Sequence, residues 1–295
     1  MTPVDILIAL GVQAIWGVNF VAAKVGIQAF PPLFLMAMRF AIIAALLVPF
    51  VPRPTPEQRW RLFWLSITLG TIHFPLMFLG LSGIDAATAA IGGQLQVPFS
   101  SLLAAILFKD RLGWRRSLGM ALAFGGVVMI AGEPRLDGSL LSLGMIVGAA
   151  FAFAIATIQM KTLGSVDAFT FNAWVGLFAA PQLALLSWLV EGGQLEAAAA
   201  APWQGWAALG YIVVGSSIIA HSAWYRLVRR YDVNQTVPYI LTLPAFAVAA
   251  AAIFLGEPLT MRLVVGGVLT VAGVAVIVCR RAPRPLVSEK LTSPT

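Results

Sequence analysis

Charged residues and cysteine are scarce in this 295-residue chain. Only 11% of its positions are charged and 60% are apolar, whereas about 25% of residues carry charge in an ordinary soluble domain. This composition excludes a soluble globular domain, and the scarcity of charge with aperiodic glycine and proline excludes disorder, collagen and coiled coil. The single cysteine, Cys279, cannot form an intrachain disulfide, so nothing indicates an oxidising extracellular module. A polytopic membrane protein remains.

The chain also lacks the sequence motifs of common enzymes. It has no His/Glu metal spacing, no paired intramembrane aspartates, no Walker or dinucleotide glycine loop and no Gly-x-Ser-x-Gly. Ser217 and His221, one helical turn apart, resemble a nucleophile and base, but no oxyanion arrangement accompanies them. The sequence therefore predicts no enzyme, no cofactor and no metal, with an intramembrane hydrolase kept as the alternative from another class.

Apolar runs separated by charged residues, prolines or glycines predict an all-α membrane protein with ten transmembrane helices. About 20 apolar residues are needed to cross a bilayer, and the fifth run is the shortest for a full crossing. The first run has no basic segment before it, so we expect it to be retained and not cleaved as a signal peptide. The predicted spans are 4–29, 33–51, 62–82, 86–108, 117–132, 140–163, 168–190, 204–228, 233–256 and 263–280.

Lysine and arginine fall unequally on the two sides of these spans. Fifteen lie on one side, only Arg135 and Arg262 lie on the other, and Lys24 and Arg39 lie within spans. The positive-inside rule then predicts a multi-pass protein of a bacterial-type inner (plasma) membrane with both termini in the cytoplasm. The net charge of +7 is thereby explained by membrane-flanking anchors, so no nucleic-acid partner is expected.

Turn residues and glycines recur along the chain at a fixed distance. Gly119 and Gly126 in the fifth span return 147 residues later as Gly266 and Gly273 in the tenth. Five helices per copy is an odd number, so the second copy must cross the membrane in the opposite sense; chance similarity between low-complexity helices is the alternative. Inverted repeats are typical of secondary transporters. The predicted units are a first repeat at 1–135, a second, inverted repeat at 136–281 and a cytoplasmic tail at 282–295.

Several motifs resemble the EamA family of the drug/metabolite transporter superfamily. They are Ala-Ile-Trp-Gly-Val-Asn-Phe at 14–20, Arg39-Phe40, and Leu-Gly-Glu-Pro-Leu-Thr at 255–260. The resemblance covers about residues 5–280, looks closest to amino-acid and metabolite exporters, and departs from the family pattern at 109–111. It implies a non-ATP carrier that exports small organic metabolites, amino acids above all, by alternating access through a central cavity. A sugar-phosphate or nucleotide-sugar exchanger is the alternative within the superfamily.

None of the twelve acidic residues lies in the middle of a predicted span. Proton-driven transporters usually bury a carboxylate, so we expect facilitated diffusion or coupling through another group. Lys24 and Arg39 are predicted roughly 10 Å below the external end of the first helical hairpin. There they either snorkel toward the interface or make a cavity positive.

Polar residues near mid-membrane define the candidate site. Prolines inside spans remove a donor and free a carbonyl that can line a cavity. We expect aromatic side chains and methionine to form an apolar wall, and amides and hydroxyls to bind the polar end of a zwitterionic or amphipathic metabolite. For each aromatic residue, histidine or proline, the alternative is core packing, a structural hydrogen bond or a simple kink.

Expected partners are membrane lipid and a small-molecule substrate, and no feature demands an oligomer, so a monomer is the expectation.

The candidate residues fall into two groups. The candidate substrate-binding residues are Trp16, Asn19, Phe20, Lys24, Arg39, His73, Met77, Phe78, Gln94, Gln96, Tyr239 and Thr242, and the candidate helix breaks are Pro75, Pro98, Pro181, Pro238 and Pro244.

Overall fold

A computed structural model of the chain describes residues 1–108, 113–133, 139–164, 166–231 and 233–278. Within these ranges the chain forms helices and no strand. The predicted tail at 282–295, the turn that contains Asp110, and Cys279 lie outside the described residues.

Fifteen α-helices account for most of the described chain. Two π-helical segments, Ser66–His73 and Tyr211–Ala220, join α3 to α4 and α11 to α12 without a turn. The helices are α1 (Pro3–Ala29), α2 (Pro32–Leu47), α3 (Pro56–Leu65), α4 (Phe74–Gly83), α5 (Ala86–Gly93), α6 (Gln96–Phe108), α7 (Trp114–Ala131), α8 (Leu140–Lys161), α9 (Ala168–Val190), α10 (Gln194–Ala200), α11 (Trp203–Gly210), α12 (His221–Arg230), α13 (Val233–Ile240), α14 (Leu243–Leu255) and α15 (Met261–Val278).

Nine helical stretches within the described ranges are long and apolar enough to cross a membrane. The predicted fifth span corresponds to α7, whose 18 residues begin with Arg115 and Arg116 in the first turn, and it is not among the nine. A multi-pass helical chain is therefore confirmed, and a count of ten stays a prediction. The nine stretches are Pro3–Ala29, Pro32–Phe50, Pro56–Gly83, Ala86–Leu107, Leu140–Lys161, Ala168–Val190, Trp203–Val228, Pro238–Leu255 and Met261–Val278.

Helix starts follow local capping signals in the sequence. The Thr2 side chain accepts the N–H of Asp5 at the start of α1, where Pro3 takes the first helical position. Thr55 and Gln58 form a capping box at the start of α3. Such caps satisfy backbone donors that have no partner inside the helix. They fix where the apolar spans begin.

Glycines let α7 and α15 pack backbone against backbone. A Cβ added at Gly266 would lie 2.6 Å from the carbonyl oxygen of Gly126, and one at Gly119 would lie 2.7 Å from that of Gly273. Thr270 lies in the same contact and donates its hydroxyl to the Gly266 carbonyl at 2.8 Å. Small residues at such a crossing permit the close packing that associates helices in lipid.

The helix α1 runs along α14 and brings the first polar residues of the candidate site into the bundle. A Cβ at Gly17 would lie 2.7 Å from the Cβ of Phe246, so only glycine permits this crossing. Phe20, about one turn further along α1, and its neighbour Asn19 line the same cavity as Leu243, the first residue of α14.

Candidate functional site

A cavity of about 150 Å³ lies between α1, α4, the junction of α5 with α6, and the start of α14. Seven of the twelve predicted binding residues line it, and six others complete the wall. The predicted residues are Asn19, Phe20, His73, Met77, Phe78, Gln94 and Gln96; those that sequence reasoning missed are Ala23, Phe74, Leu81, Ala90, Gly93 and Leu243.

Two amide side chains, those of Asn19 and Gln94, lie in the cavity wall. The Oδ1 of Asn19 is buried and has no partner in the described chain. The side chain of Gln94 is only 4% exposed, and it makes no hydrogen bond to another described residue. Because a buried polar group without a partner costs on the order of 1–3 kcal/mol, the Asn19 oxygen points to a polar ligand, and the Gln94 amide lies in the same wall.

His73 contributes a fixed imidazole to the same wall. Its Nδ1 lies 2.8 Å from the carbonyl oxygen of Ala149, and because a carbonyl only accepts, Nδ1 carries the proton. A neutral imidazole then keeps Nε2 as an acceptor. The ring packs edge-on against Phe74 at 4.8 Å between centroids, and Phe153 lies at 5.2 Å.

The helical hydrogen-bond ladder is interrupted between α5 and α6. The N–H of Gln94 bonds to the Ile91 carbonyl at 3.0 Å, so the Ala90 carbonyl loses its helical donor. The N–H of Val97 bonds to the Gln94 carbonyl at 3.1 Å, so the Gly93 carbonyl loses its donor as well. Ala90 and Gly93 both line the cavity.

The same interruption leaves a backbone donor unpaired. The N–H of Leu95 bonds to the Gly92 carbonyl at 3.1 Å, which is the acceptor that Gln96 would use in a continuous helix. Gln96 also lines the cavity. Pro98, two residues further on, has no N–H to restore the ladder. Pro98 therefore lies just past the break.

A second break separates α13 from α14. The N–H of Leu241 bonds to the Pro238 carbonyl at 3.3 Å, and that of Thr242 bonds to the Tyr239 carbonyl at 3.0 Å. The Thr242 hydroxyl donates to the same carbonyl at 2.7 Å. Tyr239 and Thr242 therefore form the break and do not line the cavity, whereas Leu243 does.

The other predicted prolines differ in what surrounds them. Pro75 lies in the first turn of α4, directly after a π-helical segment, and Pro244 lies in the first turn of α14. Pro181 lies inside α9, which runs from Ala168 to Val190 without a break.

Trp16 packs away from the cavity. Its Nε1 donates to the Ser216 carbonyl at 3.3 Å, and its ring meets His221 and Trp224 edge-on at 5.1 and 5.8 Å between centroids. These contacts join α1 to the second π-helical segment and α12. Trp16 is therefore in core packing, which the sequence analysis gave as the alternative to substrate binding.

Arg39 is buried behind one wall of the cavity. Its Nη2 donates to the Ser217 hydroxyl at 3.2 Å, and its guanidinium carbon lies 4.5 Å from the ring centroid of Phe74. Its Nε is buried without a partner. The ring of Phe74 lines the cavity, and Arg39 does not.

Lys24 ties α1 to the end of α4. Its ammonium donates to the carbonyls of Leu81 and Ile84 at 2.7 Å each. From the other side, the Glu257 carboxylate accepts the N–H groups of Ala86 and Ala87 at 2.7 and 3.0 Å. We call Lys24, Glu257 and the segment 81–87 that they hold the latch. The latch borders the cavity through Leu81, at the end of the bundle that the predicted orientation places outside the cell.

A family model supports a transporter. The model described as "EamA-like transporter family" matches residues 4–132 and 140–279. Among curated proteins, the "Probable amino-acid metabolite efflux pump" of Salmonella typhimurium is 30% identical over 284 residues, which is 92% of this chain and 94% of that protein. The protein of the same name from Escherichia coli is 29% identical, with 92% and 94% covered.

A more distant relative and a solved structure complete the comparison. The "Probable terminal-alkyne amino-acid exporter" of Streptantibioticus cattleyicolor is 26% identical, with 89% of each chain covered. A solved crystal structure superposes with a TM-score of 0.60 at 20% identity over 94% of this chain and 96% of that chain, which shows a common fold. By its family match and its membrane-spanning helices, the chain belongs to the EamA-like transporter family.

Proposed function

We propose that this protein is a secondary transporter that exports small organic metabolites, with amino acids as the favoured class, by alternating access through the cavity. The observation that carries the proposal is the cavity itself, which lies between broken helices inside an apolar bundle and is lined by unpaired polar groups. Broken helices at mid-membrane are how many secondary transporters build a substrate site in lipid.

Repeated structural features support ten helices in two inverted copies, 1–135 and 136–281. The breaks at 94–95 and 241–242 are 147 residues apart, and the π-helical segments end at His73 and Ala220, also 147 apart. The glycine contacts of α7 and α15 are reciprocal. A pseudo-twofold relation of this kind gives two states of similar energy that open to opposite faces.

The cavity wall favours a zwitterion over a phosphorylated sugar. Lys24 and Arg39, the cations that a phosphate would need, bond to the Leu81 and Ile84 carbonyls and to the Ser217 hydroxyl instead of lining the cavity. Neutral amides and aromatic rings form the wall. The relatives named for amino-acid efflux and export point the same way.

The remaining parts of the proposal concern location and partners. The excess of lysine and arginine on one side supports an inner-membrane protein with both termini in the cytoplasm. Lipid and a small-molecule substrate are the proposed partners, and one chain contains the whole cavity, which is consistent with a monomeric carrier.

Counterflow into proteoliposomes tests this function. Purified protein is reconstituted, the vesicles are loaded with an unlabelled compound, and entry of the same labelled compound is followed for amino acids, polyamines and sugar phosphates. We expect saturable counterflow with amino acids. Counterflow with sugar phosphates alone, or flux that never saturates, would refute an amino-acid carrier.

A further inference from the structure

The break between α5 and α6 places groups of opposite polarity side by side in the cavity wall. The carboxyl end of α5 carries partial negative charge and the amino end of α6 carries partial positive charge. We propose that this break binds both ionic groups of a small, neutral α-amino acid, an inference that rests on the proposed function. One broken helix would then recognise the zwitterion by its two ends.

The ammonium group is assigned to three acceptors. The carbonyls of Ala90 and Gly93 have lost their helical donors, and the Oδ1 of Asn19 is buried without a partner. All three residues line the cavity. An ammonium has three N–H donors, so these three acceptors satisfy it without an acidic residue.

The carboxylate is assigned to the start of α6. The N–H of Gln96 has lost its helical acceptor, and the amide side chain of Gln94, which is 4% exposed, makes no bond to a described residue. Amide N–H groups at a helix amino end bind carboxylates well. Because donors at the start of α6 lie beside acceptors at the end of α5, a ligand with both a positive and a negative group fits better than one that carries a single charge.

The volume of the cavity restricts the side chain of the ligand. A cavity of about 150 Å³ is about the size that holds one benzene molecule, a ligand of about six non-hydrogen atoms. Alanine, serine and threonine are of this order, whereas aromatic amino acids are much larger. Met77 closes the wall beside the break, since its Cε would lie 3.5 Å from a Cβ at Gly93. We therefore assign Met77 as the residue that limits side-chain size.

Competition with substrate analogues tests the assignment in wild-type protein. Counterflow of radiolabelled L-alanine, L-serine and L-threonine is measured against unlabelled N-acetyl-L-alanine, which lacks the ammonium, L-alaninamide, which lacks the carboxylate, and L-phenylalanine. Each is expected to compete at least about tenfold more weakly than L-alanine, because each loses a charge-assisted bond or does not fit. If N-acetyl-L-alanine and L-alaninamide each competed as strongly as L-alanine, this inference would be overturned and the amino-acid carrier would still stand. Absence of counterflow with every amino acid would overturn the proposed function itself.

Matched variants test the ammonium subsite and the limit on side-chain size. Asn19→Leu should weaken competition by L-alanine more than competition by N-acetyl-L-alanine. A purely structural role of Asn19 would weaken both equally. Asn172→Leu is the control, because the Asn172 amide donates to the Ala168 carbonyl on α9, outside the cavity. Met77→Ala should let L-leucine compete. An unchanged L-alanine to N-acetyl-L-alanine ratio in Asn19→Leu would overturn the ammonium subsite.

Discussion

The latch predicts a specific effect of removing the Lys24 charge. Lys24→Met keeps the length of the side chain and removes both hydrogen bonds to the carbonyls of Leu81 and Ile84. Bonds to a charged donor contribute about 1.5–3 kcal/mol each, and because Lys24 is only partly buried the smaller value applies. The closed latch should therefore lose about 3 kcal/mol relative to an open one, which is about a hundredfold shift in the equilibrium.

A thiol inside the cavity reports this opening. Gly93→Cys in a Cys279→Ser background places the sulfur in the cavity wall, where a Cβ meets only the Met77 Cε at an ordinary 3.5 Å. A membrane-impermeant thiol reagent is added to intact cells, and the rate of modification is measured. In Lys24→Met we expect this rate to rise at least about tenfold, with about a hundredfold as the upper bound.

Lys161 provides the matched control. It follows Lys24 by 137 residues, at the end of α8, and it is exposed. Lys161→Met should leave the external labelling rate unchanged. Equal labelling rates in Lys24→Met and in the background, or an equal rise in Lys161→Met, would refute the latch.

Three further predictions follow from the described contacts. Gly266→Leu should destabilise the protein by about 1–3 kcal/mol in thermal unfolding, because its Cβ alone would lie 2.6 Å from the Gly126 carbonyl oxygen. Gly125→Leu, whose Cβ would have nothing within 4 Å, is the control and should be neutral. Similar melting temperatures for the two variants would disprove the close contact. An imposed pH gradient should drive no uphill amino-acid accumulation in proteoliposomes. Among the residues that the structure describes, the one buried acid is Asp5, which lies in the first turn of α1 and accepts the Tyr231 hydroxyl at 2.6 Å. Proton-driven accumulation would show that another group carries the proton. Gln94→Leu should reduce export at least about tenfold with unchanged protein in the membrane, and unaltered export would remove Gln94 from the site.

The sequence predicts the spans and most polar members of the cavity well, for a physical reason. A polar residue at mid-membrane must face the interior of the bundle, so Asn19, Gln94 and Gln96 are visible as exceptions in apolar runs, and all three line the cavity. The fourth-span break could also be anticipated from Pro98.

What the sequence could not predict depends on distant packing or on the backbone. Ala90 and Gly93 contribute carbonyls, which every residue has, so their side chains give no signal. Trp16, Lys24 and Arg39 look like site residues, but each finds a partner 200, 57 or 178 residues away in the chain. Only the three-dimensional packing reveals that these partners are already supplied by the protein.

Protection of the cavity thiol by substrate would test most directly whether transport passes through this cavity. The modification rate of Gly93→Cys is measured at increasing L-alanine and compared with the saturation of L-alanine counterflow by the same protein. We predict that L-alanine slows modification with a half-maximal concentration that matches the KM of transport. Saturable transport with a modification rate that L-alanine does not change would place the substrate pathway elsewhere.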